Sequence, residues 1–69
     1  MKLSARNIIR GTVSRVTRGA TTAHVLIDIG GGTVITASIT NEAVSELRLK
    51  KGDQAYAVIK ASDVMVGKD

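Results

Sequence analysis

No phenylalanine, tryptophan or cysteine occurs in these 69 residues, and Tyr56 is the only aromatic residue of the Phe, Trp and Tyr class. Any core must therefore be assembled from Val, Ile, Leu and Ala. Chains this short bury little surface alone and usually add disulfides, a structural metal or neighbouring subunits. The lack of cysteine excludes disulfides and thiolate metal sites. One histidine, His24, and six dispersed acids (Asp28, Glu42, Glu46, Asp53, Asp63 and Asp69) are poor material for a structural zinc site. Oligomerisation remains as the expected source of further burial, with protomers meeting through aliphatic patches.

Met1-Lys2-Leu3 is not followed by the apolar stretch of a secretory signal. No apolar run approaches the ~18 residues of a membrane span. The expectation is a cytoplasmic protein with no membrane partner. The formal net charge of +4 favours anionic partners, although the same surplus also keeps a small domain soluble.

The pattern along the chain predicts one domain over residues 1–69. Ile8 to Thr17 reads as a strand, dense in β-branched residues, with Arg10, Thr12 and Ser14 alternating partly with Ile9, Gly11 and Val13. Arg18-Gly19-Ala20 is a turn. Thr22 to Ile29 is a second strand, with Ala23, Val25, Ile27 and Ile29 on one face. Gly30-Gly31-Gly32 supplies a hairpin turn, and Thr33 to Ile39 the third strand. The period then changes. Thr40 or Asn41 caps a helix with Glu42 in its first turn, and Val44 and Leu47 pack at i and i+3. Leu49 to Asp53 closes it with a basic stretch and a glycine turn. Gln54 to Lys60 is a fourth strand, Ser62-Asp63 a short turn, and Val64-Met65-Val66 a brief fifth strand. The order β-β-β-α-β-β suits an all-β fold, a small five-stranded OB-like barrel with one short helix. An SH3-like barrel is the alternative.

Little in the chain supports catalysis. A nucleophile needs an adjacent base, and His24 lies on a strand between Thr22 and Leu26. The acids show no paired-carboxylate spacing. Gly30-Gly31-Gly32 lacks the Lys-Ser/Thr of a phosphate loop and precedes a strand instead of a helix. An OB-type nucleic-acid module is the rival reading, but such modules stack bases on aromatic side chains. Here Arg10, Arg15, Arg18, Arg48, Lys50 and Lys51 supply charge without a platform.

Two polar runs near the ends of the chain, Ser4-Ala5-Arg6-Asn7 and Lys60-Ala61-Ser62, combine cations with hydroxyls and contain no acid. A closing barrel brings first and last strands together, so the runs can face one cavity, within a subunit or across a contact. Arg6 forks two N–H donors, Lys60 adds a compact charge, and Ser4 and Ser62 add hydroxyls. Ala5 and Ala61 let an anion approach their backbone N–H groups closely. Thr40, at a helix start, adds another hydroxyl beside unpaired N–H groups. Donors without a carboxylate suit an oxyanion.

These segments resemble the molbindins, the small Mop family of molybdate-binding proteins, and hence a stand-alone TOBE domain. Ser4-Ala5-Arg6-Asn7 followed by Gly11 is similar to the family's opening motif. The Gly30-Gly31-Gly32 turn, Ile39-Thr40, Ala43 to Leu47, Lys51-Gly52 and Val58 to Met65 follow in family order. The likeness covers nearly the whole chain. It implies an OB-like barrel, no enzymatic activity and no cofactor. It also implies a hexamer (a trimer of strand-exchanged dimers) with molybdate or tungstate bound between subunits for storage and homeostasis. By position it implies a principal site of Ser4, Ala5, Arg6, Thr40, Lys60, Ala61 and Ser62. A second oxyanion site type near the symmetry axes would fall around Gly19, Thr21, Thr22 and His24. The chemistry agrees with the resemblance. Molybdate and tungstate are fully deprotonated dianions at neutral pH and need donors only. Phosphate keeps a proton and wants an acceptor, whereas sulfate differs from molybdate chiefly in size.

Overall fold

A computed structural model describes all 69 residues. Four strands form one antiparallel sheet: β1 (Asn7–Arg18), β2 (Thr22–Gly30), β3 (Thr33–Thr40) and β4 (Gln54–Ile59). A seven-residue helix, α1 (Asn41–Leu47), lies between β3 and β4, and a 3-10 turn spans Ala61–Asp63. The strand order is β3-β2-β1-β4, so the twelve-residue β1 pairs on both sides. Its first half carries β4, from Asn7↔Ile59 to Thr12↔Gln54, and its second half carries much of β2. β3 and β4 are the free edges.

The β2–β3 hairpin turns at three glycines, all at positive φ (94°, 62° and 81°), where L side chains are strained. Asp28 Oδ1 fixes the turn by accepting the Gly30 N–H at 2.8 Å. Gly11 has a different reason to be glycine. A Cβ there would stand 2.6 Å from Ile27 Cγ2 and 2.7 Å from the Asp28 carbonyl oxygen, so β2 crosses β1 too closely for any side chain.

The core is aliphatic, as the composition requires. Val13, Ala23, Val25, Ile27, Val44 and Ala57 are buried. Ile9, Val16, Ile29, Ile35, Ala37, Ile39, Leu49 and Ala55 pack around them half-buried. The alternation expected of β2, β3 and β4 is present. In β1 it breaks at a bulge between Val13 and Arg15, where the register against β2 shifts. Val13 and Val16 both turn inward, and the Ser14–Arg15 pair absorbs the extra residue.

Two expectations are corrected. Leu47 does not pack beside Val44; it is 66% exposed. The helix ends one residue later in a left-handed cap at Arg48 (φ 53°, ψ 42°), which reverses the chain and turns Leu49 into the core. The Leu49 N–H bonds back to the Val44 carbonyl at 3.1 Å. The fifth strand is also absent. Val64-Met65-Val66 joins no ladder, and Met65 and Val66 are 93% and 94% exposed. β1 pairs with β4 only from Asn7 to Thr12 and with β2 only from Thr12 to Arg18, and the segment joins neither the open stretches of β1 nor the outer edges of β3 and β4.

The chain exposes 5547 Å². A compact monomer of its 7.2 kDa exposes about 4,100 Å². Its radius of gyration, 12.6 Å, likewise exceeds the roughly 11 Å of a compact chain this long. The excess is partly apolar. Ile8 and Val58 face each other across β1 and β4 on the outer side, with Tyr56 next to them, all exposed. Met1, Leu3, Val64, Met65 and Val66 extend from the chain ends.

Candidate functional site

The ladder between β1 and β4 decides where the two polar runs go. Its last rung is Asn7↔Ile59. The Asn7 side-chain amide crosses that rung and donates to the Ile59 carbonyl at 3.2 Å. Arg6 and Lys60 are the next residues outward on each strand, so Ser4-Ala5-Arg6 and Lys60-Ala61-Ser62 leave the sheet side by side. Ser4, Arg6, Lys60, Ala61 and Ser62 are exposed and Ala5 is half-buried. Beyond the rung the chain tightens into the 3-10 turn, closed by the Asp63 N–H to the Lys60 carbonyl at 2.9 Å. The N–H groups of Ala61 and Ser62 precede that first bond and are left to donate elsewhere. Two cations, two hydroxyls and free backbone donors thus gather at one end of the sheet, with no acid in either run.

Thr40 lies elsewhere. It pairs with Thr22 at the end of β3, and Arg18 at the far end of β1 pairs with Ala23 next to it. The Arg18 guanidinium donates to the Asn41 carbonyl at 3.2 Å and to Ser45 Oγ at 3.3 Å, fixing the start of α1 against that end of β1. The whole length of β1 therefore separates Thr40 from Arg6 and Lys60. Within one chain these seven residues form a cluster of six plus a distant seventh. Thr40 caps α1, its Oγ1 accepting the Ala43 N–H at 3.0 Å. That bond uses a lone pair and leaves the hydroxyl proton free to donate.

Gly19, Thr21, Thr22 and His24 divide between two settings. Gly19 and Thr21 belong to the β1–β2 turn, whose groups are largely spent on its own closure. The Gly19 N–H meets the Thr22 carbonyl at 2.7 Å, Asn41 Nδ2 meets the Gly19 carbonyl at 2.9 Å, and the Asn41 N–H meets the Thr21 carbonyl at 2.9 Å. Thr22 and His24 stand exposed on the outer face of β2, with Thr17 and Ser38 directly across from His24 on the neighbouring strands. Hydroxyls thus flank the imidazole on both sides. No three His, Cys, Asp or Glu side chains come together as a metal site. No helix is long and apolar enough to cross a membrane.

Sequence reasoning missed one grouping. Arg15, Arg18, Lys50 and Lys51 line a single groove together with Ser14, Val16 and Leu49. Its one signal in the sequence is the break in alternation between Val13 and Val16, the mark of the bulge.

The TOBE domain family model matches residues 3–66. The chain is 51% identical over 67 residues to a probable molybdenum-pterin-binding protein of Haemophilus influenzae, covering 97% of each. Among solved structures, a molybdate-binding protein from Sporomusa ovata superimposes with a TM-score of 0.92 at 37% identity, covering 99% of this chain and all of that one. The cytoplasmic molybdate-binding protein ModG, solved with molybdate bound, gives 0.89 at 54% identity, covering 94% of this chain and 46% of ModG. With the family model matching residues 3–66 and a relative half identical over nearly its whole length, the chain belongs to the TOBE-domain family, alongside the Mop proteins.

Proposed function

We propose that the chain binds molybdate and serves its storage and homeostasis in the cytoplasm, as a binding protein without enzymatic activity. The observation that carries this reading is the convergence of Ser4-Ala5-Arg6 and Lys60-Ala61-Ser62 on one end of the β1–β4 ladder, neither run containing a carboxylate. A fully deprotonated tetrahedral dianion is satisfied by such donors alone. The relatives described above, which by their names bind molybdenum-pterin or molybdate, support the choice of anion. Tungstate carries the same charge and shape and should enter the same site.

The site is completed between copies of the chain. Thr40 lies a full strand length from Arg6, so a Thr40 hydroxyl in the same pocket has to come from another protomer. The surplus exposed surface and the unpaired apolar segment at Val64–Val66 support an assembly that covers them. A hexamer built as a trimer of dimers is the proposed form, with a second anion site near its axes at Thr22 and His24.

Calorimetry with molybdate, tungstate, sulfate and single-stranded DNA tests the reading. Saturable heat with molybdate and tungstate is expected, with sulfate weaker. DNA binding with a steep salt slope and no molybdate heat refutes it and supports the nucleic-acid alternative.

A further inference from the structure

Four cations share a groove that the oxyanion reading does not use. The bulge at Ser14 and Arg15 frees Arg15 from the regular alternation of β1. The left-handed cap at Arg48 turns the chain so that Lys50 and Lys51 pass alongside. Two bonds lock this turn against the bulged strand: the Gly52 N–H to the Val13 carbonyl, and the Val13 N–H to the Asp53 carbonyl, both at 2.8 Å. Arg18 is steadied by its contacts with α1. The result is a groove with Arg15, Arg18, Lys50 and Lys51 at its sides and the apolar Val16 and Leu49 in its lining. No acid lines it. The carboxylate of nearby Asp53 already accepts the Lys50 N–H at 3.0 Å.

We propose that this groove docks an acidic segment of a partner protein, a stretch of Asp or Glu side chains with an apolar residue among them. Each feature of the groove selects for that chemistry. Arg forks match carboxylates bidentately, and the lysines add charge on flexible stems. The two aliphatic residues offer an apolar partner side chain a contact between the charges. The groove is too open to enclose a small organic anion, which needs most of its surface covered. It has no aromatic side chain, whereas single-stranded nucleic acid relies on base stacking. The only tyrosine, Tyr56, pairs with Arg10 on the outer face of β4. The groove is separate from Arg6 and Lys60, so this proposal stands whether or not the chain binds molybdate. Should it do so, the groove gives an acceptor protein a place to dock without touching the anion.

The test is fluorescence anisotropy on the native assembly. The probes are a labelled peptide alternating glutamate pairs with leucine, and a single-stranded thymidine oligonucleotide of equal charge. The peptide should bind at low salt and more tightly than the oligonucleotide. Lys50→Glu with Lys51→Glu, and separately Arg15→Glu, should each weaken the peptide by about tenfold or more. Circular dichroism and thermal melts of both variants should match wild type, which shows that they fold, and any molybdate heat of the wild type should be retained. Absence of peptide binding, equal affinity in wild type and the folded variants, or tighter binding of the oligonucleotide overturns the proposal.

Discussion

Asn7 and Ile59 are joined twice, as the last rung of the β1–β4 ladder and through the Asn7 amide on the Ile59 carbonyl. That double tie is what sets Arg6 beside Lys60. Asn7→Ala should remove about 1 kcal/mol of stability, the net worth of one part-buried hydrogen bond. It should also weaken molybdate binding by letting the two runs diverge. Chemical denaturation and calorimetry check the two effects, and unchanged affinity alongside lost stability would show that the runs are aligned by something other than this rung.

Arg6→Ala should weaken molybdate binding by about 1.5–3 kcal/mol, the value of a hydrogen bond to a charged group. Lys60→Ala should behave similarly. Arg15→Ala, on the exposed far half of β1, should leave the affinity nearly unchanged. Titration of the three variants decides the matter, and equal affinities for Arg6→Ala and Arg15→Ala would remove Arg6 from the site.

Gly11→Ala tests the strand crossing. The new methyl would meet the Asp28 carbonyl, a backbone atom that cannot swing away, and the Ile27 side chain. A loss of about 1–3 kcal/mol is expected from overpacking. Thermal melting measures it, and a variant as stable as wild type would mean that β1 and β2 lie further apart than described.

Much of this was legible because strands with one buried face write a period of two into their residues. Ala23, Val25, Ile27 and Ile29 on β2 and Ala55, Ala57 and Ile59 on β4 alternate cleanly. The Thr40 cap was legible too, since a hydroxyl before an acidic first turn has a local cause. Three features were not local. Leu47 shares a helical spacing with Val44, but the turn at Arg48 gives the inward place to Leu49. Val64–Val66 reads as a strand because strand propensity is intrinsic, whereas a strand exists only where an edge receives it, and no edge of this chain does. The distance from Thr40 to Arg6 depends on strand order and ladder register, which no residue pattern announces.

The last prediction ties the site to the assembly. One chain leaves over 5,500 Å² exposed, with Met65 and Val66 almost wholly in solvent. Neighbouring copies are expected to cover these surfaces and to bring a Thr40 to each Arg6–Lys60 cluster. Before an anion arrives, Arg6 and Lys60 repel each other at the end of the ladder; a dianion converts that repulsion into two attractions. On the proposal that the site is complete only between copies, molybdate should bind the assembled form more tightly than separated chains and stabilise the assembly by mass action. The gain is at most about 2.7 kcal/mol when free molybdate is about 100 times its Kd. Light scattering with thermal melts, with and without molybdate, reads both quantities. A monomer by scattering, or a melting temperature unmoved by saturating molybdate, would refute a site shared between subunits.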